Sequence, residues 1–491
     1  MWTRESLNEL VREKLSGYLF VVVSNREPFI HSFSGRKIVC QVPASGLTVA
    51  LDPVMRACGG TWIAHGSGDA DKEVVDKDNK VSVPPNEPRY SLKRIWLSKE
   101  EENGHYLGFS NQALWPLCHI VYTRPVFDEH DWNVYKKVNQ IFAQSVLDEI
   151  GDKKAFVFIQ DYHLTLLPRL IKERNPNVII AHFWHIPWPN PEVFRICPWH
   201  EEILRGLLNN DILGFHIRYH CNNFLDTVER AIEARVDWER YEVTCGGKKT
   251  AVHPFPISVD FDRISEEAQK EDVVNEMERL KNTLGLGDEM IGVGMDRLDY
   301  TKGIPDRFRA IDRFLEKNPQ YQQRVVFIQA GVPSRIQIET YRKLKEEVDS
   351  LVEEINWKYA IGRWKPIAIL MEHESQLTLM ALRRMANFCI VSSLHDGMNL
   401  VAKEFVASRF DEDGVLILSP FTGAARELTD ALLANPYATD HFADAIKSAL
   451  EMPKTERQKR MRRMREKVRE NNIYKWAADI VSELVKFEFG D

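Results

Sequence analysis

Two cations stand five residues apart just beyond a predicted buried strand. Arg297 and Lys302 follow an apolar run within residues 290–305. A guanidinium offers a planar fork of donors and an ammonium offers a point charge, so together they suit a polyanion such as a diphosphate. The alternative is a surface location in which the two cations pair with Asp296 and Asp299, because exposed ion pairs are common and contribute little.

A turn followed by a predicted helix start forms a second candidate site. Asp396 and Gly397 mark a sharp turn after an apolar run that ends near Val391. The first amides of a helix lack intrahelical partners and carry the positive end of its dipole, so they suit a phosphate or a carboxylate. The residues predicted to open this helix are Met398, Asn399 and Leu400.

Two carboxylates of the same segment can bind sugar hydroxyls. Glu404 falls along the predicted helix, where its carboxylate can accept hydrogen bonds from vicinal hydroxyls such as those of a ribose. Asp396, at the turn, can hold hydroxyls in the same way. The alternative makes Asp396 the N-cap of the helix and Glu404 a surface residue.

Asp161 and His185 each follow an apolar run in the first half of the chain. We expect them at the C-terminal ends of neighbouring strands, where α/β folds place their substrate contacts. Either side chain could instead serve the structure, the carboxylate as a cap and the imidazole as a hydrogen-bond donor. A zinc site formed by His163, His182 and His185 is a further alternative, but the spacing matches no closed zinc pattern.

Further positions suit an anionic ligand that carries a sugar ring. Arg26 follows a predicted strand, and the small-residue loop at residues 43–47, which contains Ser45 and Gly46, could return beside it. Arg335 closes another strand and adds a cation. Aromatic faces beside polar loops suit sugar rings, although most aromatic side chains belong to the core. The two aromatic candidates are Tyr106 and Trp115.

Short apolar runs alternate with longer amphipathic stretches through most of the chain, which predicts doubly wound α/β architecture. Helical patterns include residues 133–150 and 304–317. The runs predicted as buried parallel strands are residues 19–23, 155–159, 178–183, 212–215, 291–294, 324–330, 388–392 and 414–418. A crossover near residues 255–262 leads into a charged helix, residues 265–284. We therefore expect two stacked α/β domains with ligands bound in the cleft between them.

Length and composition limit the class of protein. With 491 residues, 44% of them hydrophobic, the chain is too long for one ordinary core. A net charge of −7 argues against a general nucleic-acid partner. Seven cysteines without a Cys-x-x-Cys pair fit neither a disulfide framework nor a zinc cluster. The N-terminus is charged, and the apolar run at residues 18–23 is too short for a signal peptide or a membrane span. These features predict a reduced, cytoplasmic protein with no membrane partner.

The C-terminal region is predicted to form two helices. Residues 454–469 are dense in Lys and Arg, with Met461, Met464 and Val468 at helical spacing. A solvated amphipathic helix explains this pattern better than a nucleic-acid or membrane contact. The apolar positions of residues 476–484 predict a last helix that docks back on the body of the protein.

These segments, in this order, resemble the trehalose-6-phosphate synthase family of retaining nucleotide-sugar glucosyltransferases. The matching motifs are DRLDYTKGIP, VPSR, DGMNLVAKE and GVLILSPFTGAARELTDALLANPY, and the resemblance runs from about residue 19 to about residue 436. It implies the GT-B fold, in which two Rossmann-like domains face a central cleft. We accordingly expect an acceptor domain at residues 1–255, a nucleotide-sugar donor domain at residues 256–471, and a C-terminal helix at residues 472–491 that packs on the first.

The resemblance also implies a role for each candidate residue. Arg297 and Lys302 would grip the donor diphosphate, Glu404 the ribose, and Asp396 with His185 the transferred glucose. The amides of Met398, Asn399 and Leu400 would lie near the same donor. The positions that match the glucose 6-phosphate acceptor site are Arg26, Ser45, Gly46, Tyr106, Trp115, Asp161 and Arg335.

Family chemistry implies transfer with retention and no metal or other cofactor, the nucleotide-glucose being a substrate. Arg297 and Lys302 would neutralise charge on the departing nucleotide, an electrostatic role. No carboxylate stands out as a nucleophile, which favours front-face substitution. The pair Asp69 and Asp71 has the spacing of a metal-binding motif, but we interpret it as solvated. The expected partners are small molecules, nucleotide-glucose and a sugar phosphate, and a homo-oligomer is among the states that the sequence leaves open.

The acceptor half departs from the family pattern. Ser45 stands where Gly is usual, the second tryptophan after Gly-Gly-x-Trp is replaced near His65, and His395 replaces a common Arg. The Arg-Glu-Pro sequence that begins at Arg26 resembles glucosylglycerol-phosphate synthases, which use glycerol 3-phosphate. Arg335 favours a hexose phosphate, because that related branch typically lacks the VPSR motif. The donor half shows the usual pattern, although it leaves the nucleotide base open.

Two other classes of function are alternatives. An NAD-dependent dehydrogenase would need a third glycine after Gly292 and Gly294, and Arg297 occupies that position. A non-catalytic sugar-phosphate sensor of the same fold is harder to exclude, because binding residues alone do not prove turnover. The presence of His185, Arg297 and Lys302 together favours an enzyme.

Overall fold

The structure is a computed structural model, and it describes residues 1–43, 46–372 and 374–488. The chain divides into two compact units. The first comprises Met1–Ile257 together with Ile473–Asp491, and the second comprises Ser258–Asn472. Each unit is built around one mostly parallel sheet, so the two are described in turn.

The apolar runs of the first unit form strands because β-branched and aromatic residues pack well on a buried pleated surface. The strands are β1 (Leu19–Arg26), β2 (Ile30–Ser34), β3 (Lys37–Gln41), β4 (Thr61–His65), β5 (Lys80–Val83), β6 (Tyr90–Ile95), β7 (Ala155–Gln160), β8 (Ile179–Phe183), β9 (Ile212–Phe215), β10 (Arg235–Asp237), β11 (Glu242–Cys245) and β12 (Lys248–Pro254). Ten of them form one sheet in the order β10-β11-β12-β9-β8-β7-β1-β4-β6-β5, and β2 and β3 form a separate hairpin.

The chain reverses direction in the large sheet between β1 and β7. From β1 it proceeds through β4 to β6 on one side, and from β7 through β8 and β9 to β12 on the other. All of these neighbours pair in parallel, while β5, β10 and β11 add antiparallel edges. Doubly wound sheets bind ligands beyond the carboxyl ends of the strands at such a switch point. Here β1 ends at Arg26 and β7 at Gln160.

Helices cover the sheet of the first unit. In chain order they are α1 (Arg4–Lys14), α2 (Gly46–Cys58), α3 (Lys99–Glu102), α4 (Trp115–His119), α5 (Glu129–Ile150), α6 (Leu167–Lys172), α7 (Pro191–Phe194), α8 (His200–Leu207) and α9 (Arg218–Ala231), and a π-helix at Asn103–Leu114 precedes α4. The predicted helix at residues 133–150 starts earlier, at Glu129, because the Asp128 side chain caps it by accepting from Asp131 N. Its apolar stripe packs on β1 and β7 in one buried core.

The second unit is also built around a doubly wound sheet, which contains six parallel strands. They are β13 (Met290–Met295), β14 (Val325–Ala330), β15 (Ile367–Leu370), β16 (Phe388–Val391), β17 (Val415–Leu418) and β18 (Leu432–Leu433), in the order β15-β14-β13-β16-β17-β18. The switch point lies between β13 and β16. All eight strands predicted from the sequence are therefore present, and all eight pair in parallel.

The helices of the second unit are α10 (Phe261–Glu267), α11 (Glu271–Leu284), α12 (Ile304–Lys317), α13 (Glu339–Tyr359), α14 (Gln376–Met385), α15 (Leu400–Ser408), α16 (Thr439–Glu451) and α17 (Lys454–Glu470). The predicted single helix at residues 265–284 was wrong. Lys270 takes an extended backbone and separates α10 from α11, whose first turn carries Glu271 and Asp272 near the positive end of the helix dipole.

The C-terminal region forms two helices, as its sequence pattern indicates. Met461, Met464 and Val468 form the buried stripe of α17, and its cations pair with acidic neighbours, as Arg457 does with Asp413 at 2.6 Å. A final helix, α18 (Ile473–Glu488), belongs to the first unit. Within the described part of the chain, no helix combines the length and apolar character that crossing a membrane requires.

Trp476 anchors α18 on the first unit. Its indole is 2% exposed, its Nε1 donates to Phe255 O at 3.2 Å, and its ring centroid lies 5.7 Å from that of Phe158 and 5.1 Å from that of Phe183. A buried aromatic side chain with a satisfied polar atom contributes both apolar area and a hydrogen bond.

We predict that Trp476→Ala lowers the free energy of unfolding by about 3–5 kcal/mol, the usual cost of removing a buried aromatic side chain. Urea denaturation measures the change. Trp357→Ala is the control, because that indole is 88% exposed and its loss should leave the midpoint nearly unchanged. Equal effects of the two substitutions would contradict the anchoring role.

Candidate active site

A buried guanidinium organises the switch point of the second unit. Arg307, on α12, donates to Asp296 Oδ2 at 2.6 Å, to Gln329 Oε1 at 2.6 Å and to Ser392 Oγ at 3.0 Å. These partners sit just beyond β13, on β14 and just beyond β16, so one side chain ties three strands together. Asp296 is therefore the partner of Arg307, and the alternative of a surface ion pair between Asp296 and Arg297 or Lys302 is wrong.

Asp299 lies among cations from the loops that follow β13 and β14. Its Oδ2 accepts from Arg335 Nη1 at 3.2 Å and lies 3.9 Å from Arg297 Nη2. Its Oδ1 accepts from Thr301 N at 3.0 Å and from Thr301 Oγ1 at 2.9 Å. Burial favours the neutral acid, but Arg335, Arg297 and Lys302 outweigh it, so the pKa of Asp299 lies below its ordinary value. The carboxylate is ionised among three cations.

Arg335 lies beside Arg297 in the second unit. It belongs to the second unit, whereas Arg26, Tyr106 and Asp161, which the resemblance assigns to the same acceptor, belong to the first. Its backbone is left-handed, with φ at 51°, a conformation that non-glycine residues rarely adopt and that the surroundings must hold. Ser334 helps to hold it, because its Oγ donates to Leu298 O at 3.1 Å.

Lys302 and Asp396 form an ion pair between the two loops of the switch point. Lys302 Nζ lies 2.5 Å from Asp396 Oδ2, and Ser393 Oγ and Asn399 Nδ2 donate to the same oxygen at 3.1 and 3.3 Å. Gly303 allows this approach, because its φ is 60° and a Cβ at this position would lie only 2.4 Å from Ser392 O. The two residues that the sequence placed on diphosphate and glucose are therefore neighbours.

Helix α15 starts two residues later than predicted. Asn399 is the N-cap, with φ at 87°, and its side-chain oxygen accepts from Ala402 N at 3.1 Å. Asp396 is not the cap. Met398 is buried, and its carbonyl accepts from Ala424 N at 2.9 Å, which fixes the turn that presents Leu400 at the first helical position.

Glu404 is mostly buried and pairs with a residue that the sequence motifs did not reveal. Arg383 Nη2, on α14, donates to Glu404 Oε2, and the two side chains are 6% and 17% exposed. The alternative of a plain surface carboxylate is therefore wrong for Glu404. A carboxylate held at one oxygen by a guanidinium keeps its other oxygen oriented, which suits recognition of vicinal hydroxyls.

Asp161 and His185 meet at the switch point of the first unit. Asp161 Oδ1 accepts from Tyr162 N at 3.0 Å and from His185 N at 3.3 Å. Gln160 Nε2 donates to Phe158 O at 3.5 Å, so the Gln160 oxygen faces His185 Nε2, 2.9 Å away. His185 consequently donates through Nε2 and keeps Nδ1 as an acceptor.

His185 is neutral near pH 7. Burial lowers its pKa well below the ordinary value, and the neighbouring His216 and His182 lower it further. A neutral imidazole with a defined tautomer can accept a hydrogen bond from a hydroxyl without adding charge to the site.

The remaining acceptor candidates separate into a cluster and a core residue. Arg26 Nη2 donates to Tyr106 Oη at 2.7 Å, and the Tyr106 ring stacks on His163 at 5.7 Å between centroids. Trp115 is 6% exposed and packs on His119 at 4.1 Å, as a core aromatic does. Gly46 is the first residue of α2. Ser45 lies outside the described residues.

Comparison with known proteins identifies the family. A family model described as glycosyltransferase family 20 matches residues 18–486. The chain belongs to glycosyltransferase family 20. A relative in this family, alpha,alpha-trehalose-phosphate synthase (UDP-forming) A of Dictyostelium discoideum, is 35% identical over 483 residues. That alignment covers 98% of this chain but 64% of the relative, so the chain spans less than two thirds of the length of that protein.

Solved structures of this family are similar over almost the whole chain. An alpha,alpha-trehalose-phosphate synthase (UDP-forming) from Burkholderia xenovorans in complex with glucose-6-phosphate has a TM-score of 0.85 at 30% identity, covering 95% of this chain and 99% of that chain. A trehalose-6-phosphate structure from E. coli bound with UDP-2-fluoro glucose has a TM-score of 0.84 at 31% identity, with the same coverage. The GT-B fold class of two Rossmann-like domains is thereby confirmed.

The family 20 chain contains site residues that sequence reasoning missed. Asp299 and Tyr341 hold Arg335, Arg383 holds Glu404, and Gln160 orients His185. Asp299 carried a signal, since it stands between Arg297 and Lys302 in the sequence. Arg383 and Gln160 lie 21 and 25 residues from the residues they contact, and Tyr341 lies six residues beyond Arg335, on the helix that follows. Among the described residues no group of three or more His, Cys, Asp or Glu side chains is placed to hold a metal ion.

The residue after Arg26 belongs to a buried charge cluster. The side chain of Arg94 is fully buried. Its Nε lies 2.8 Å from Glu27 Oε2, and its Nη2 lies 2.8 Å from Asp71 Oδ1. Asp71 Oδ1 also accepts from His31 N at 2.8 Å, and Asp69 Oδ1 accepts from Phe33 N at 2.9 Å. The interpretation as solvated was therefore wrong for Asp71, which is fully buried, whereas Asp69 is exposed. They fix the β2–β3 hairpin to the body of the unit.

Two carboxylates share one guanidinium in this cluster, an arrangement that favours the protonated form of Glu27. Burial and the neighbouring Asp71 raise the pKa of Glu27 to about 7, against the opposing effect of Arg94. A carboxyl group whose pKa is raised on folding stabilises the protein fully below its unfolded pKa. That stability is lost as the pH rises through the folded pKa.

We predict that the free energy of unfolding falls by about 3 kcal/mol through Glu27 as the pH rises from 4.5 to above 7. Glu27→Gln should remove this part of the pH dependence, as urea denaturation across that range would show. Glu73→Gln, at a glutamate outside the cluster, should leave the pH dependence as in the wild type. A Glu27→Gln protein with the wild-type pH dependence would disprove the assignment.

Proposed function

We propose that this chain transfers glucose from a nucleotide-glucose, UDP-glucose in the first instance, to glucose 6-phosphate, with retention of the anomeric configuration. The products are trehalose 6-phosphate and the nucleoside diphosphate. The observation that carries the proposal is the grouping of Arg297, Lys302 and Asp396 at the switch point of the second unit. Membership of family 20 and the similar structures bound with glucose-6-phosphate and with UDP-2-fluoro glucose support it.

The donor occupies the second unit in this proposal. Arg297, whose side chain is 29% exposed, and Lys302 bind the diphosphate. Glu404 accepts the ribose hydroxyls while Arg383 orients its carboxylate. The turn and first helical residue at Met398, Asn399 and Leu400 border the same donor.

Two groups hold the transferred glucose. Asp396 accepts sugar hydroxyls through its carboxylate, which Lys302, Ser393 and Asn399 orient by contacts to Oδ2. His185 accepts a hydrogen bond from a glucose hydroxyl through Nδ1, in the tautomer that Gln160 fixes. The residues proposed for the acceptor sugar phosphate are Arg26, Ser45, Gly46, Tyr106, Trp115, Asp161 and Arg335, of which the buried Trp115 contributes through packing.

The reaction breaks the bond between the glucose anomeric carbon and the donor phosphate oxygen, and it forms a bond from that carbon to the acceptor hydroxyl oxygen on the same face. The departing phosphate oxygen takes the proton of the attacking hydroxyl. Arg297 and Lys302 stabilise the charge that develops on the diphosphate, which is the electrostatic part of catalysis. A glucosyl group trapped covalently on any side chain would exclude this route.

The seven cysteines support a reducing compartment. All seven lie among the described residues and are free thiols. Proteins with free buried thiols are typical of compartments that keep cysteine reduced. We therefore place the proposed reaction in the cytoplasm.

A donor-by-acceptor matrix with purified protein tests the proposal. UDP-, ADP- and GDP-glucose are each combined with glucose 6-phosphate or glycerol 3-phosphate, with and without EDTA, and nucleotide release and product mass are measured. We expect trehalose 6-phosphate from UDP-glucose and glucose 6-phosphate, unchanged by EDTA. Turnover with glycerol 3-phosphate alone would assign a glucosylglycerol-phosphate synthase, and binding without turnover would assign a sensor.

We predict that Arg297→Ala lowers kcat/KM by about 10²–10³-fold, the range for removing one preorganised group that stabilises transition-state charge. The unfolding midpoint should stay close to that of the wild type, because this side chain is partly exposed. Arg309→Ala is the control, since Arg309 is an exposed cation of α12 paired with Asp306 and Glu347. Wild-type turnover in Arg297→Ala would remove that residue from the mechanism.

A further inference from the structure

Asp299 contacts both Arg297 and Arg335. It is fully buried, and its Oδ1 is satisfied by the backbone and hydroxyl of Thr301. Its Oδ2 faces Arg335 Nη1 at 3.2 Å and Arg297 Nη2 at 3.9 Å. The two guanidinium groups therefore share one oxygen atom, and together they leave a net positive charge toward anionic ligands.

A tyrosine completes the arrangement. Tyr341 Oη, on α13, accepts from Arg335 Nη1 at 2.5 Å and donates to Asp299 Oδ2 at 3.3 Å. Burial and the charge of Asp299 raise the pKa of Tyr341, so its hydroxyl remains a donor throughout the physiological range. Arg335 Nη1 is thereby held by two partners, which directs the rest of the guanidinium group.

Backbone contacts join the two loops that carry Arg297 and Arg335. Leu298 N donates to Val332 O at 3.0 Å, and Leu298 and Pro333 form a parallel bridge between the loop after β13 and the loop after β14. Gly331 makes this approach feasible, because a Cβ there would lie 1.8 Å from Asp296 O. The two loops, each with one arginine, are therefore fixed to each other rather than free to move apart.

Because the two arginines share one oxygen of Asp299, an anion bound by one of them affects the other. An anion on Arg297 draws that guanidinium toward itself and leaves Asp299 to Arg335, whose orientation is then more firmly held. Because Arg335 is then already held in one orientation, less conformational entropy is lost when a second anion binds to it. The two binding events are therefore cooperative. Asp299 touches neither ligand in this account.

We propose that Asp299 is a positioning residue that couples binding of the donor diphosphate at Arg297 to binding of the acceptor phosphate at Arg335, with Tyr341 as its partner. The inference rests on the proposed function, because it takes the ligands of the two arginines from there. It adds a thermodynamic link between the two substrates, located within a single unit.

The test measures coupling with two ligands, UDP and glucose 6-phosphate. Isothermal titration calorimetry gives the Kd of glucose 6-phosphate with and without saturating UDP, and the Kd of UDP with and without saturating glucose 6-phosphate. The wild type should show the same coupling factor in both directions, on the order of 10-fold, since linkage is reciprocal. A role confined to folding would not change this ratio in the folded protein.

Two variants and one control test whether Asp299 and Tyr341 produce the coupling. Asp299→Asn should reduce the coupling factor to about 1, and Tyr341→Phe should reduce it by about threefold, a usual size for a mutation that modulates coupling. Tyr359→Phe is the matched control, because Tyr359 lies at the other end of α13 and its hydroxyl donates to Asp312 O at 3.1 Å. It should keep the wild-type factor.

The outcomes separate the two proposals. If Asp299→Asn fails to fold, Tyr341→Phe decides alone, and an unchanged coupling factor in it overturns the inference. Wild-type protein that binds and converts both substrates without coupling also overturns the inference but leaves the proposed function intact. Wild-type protein that binds neither UDP nor glucose 6-phosphate overturns the proposed function itself.

Discussion

The buried guanidinium of Arg307 is the interaction on which the second unit's site depends. A charge without access to water must be paired, and Asp296, Gln329 and Ser392 supply its partners. Because those partners belong to three neighbouring strands, satisfying one cation also sets the spacing of the loops that follow. The Arg297, Lys302 and Asp396 side chains project from those loops. Replacing this hub with apolar residues could keep the sheet, yet it would leave the loops without a common anchor.

In the first unit, too, buried polar partners orient the candidate side chains. At its switch point, Asp161 accepts from the backbone of His185, and Gln160 sets the tautomer of that imidazole. Arg26 lies at the end of the adjoining strand, and the residue after it enters the buried cluster around Arg94. In both units, side chains with a proposed chemical role are oriented by buried polar partners. The free-energy cost of removing such a network from water is offset only when every polar group in it has a hydrogen-bond partner. That requirement also fixes the positions of the side chains.

The fold could be predicted from the sequence to a large extent. Eight apolar runs gave eight parallel strands, because an uninterrupted apolar run fits a sheet covered on both faces. Edge strands such as β5 and β10 carry polar and charged residues, so they left no such signal. The helix at residues 265–284 was predicted as continuous because its amphipathic pattern continues across Lys270, where the backbone nevertheless becomes extended.

For the site, the sequence by itself determined which chemical groups are present and that they follow strands. The motif residues Arg297, Lys302, Asp396 and Glu404 could be found in this way because chemistry and spacing are local properties. Only the tertiary structure decided their partners: Lys302 with Asp396, Glu404 with Arg383, and Arg335 with Asp299 beside Arg297. These contacts join segments that are 21 to 94 residues apart. Such pairs form because folding removes charged groups from water and leaves them only one another to bind, a constraint that no local pattern records.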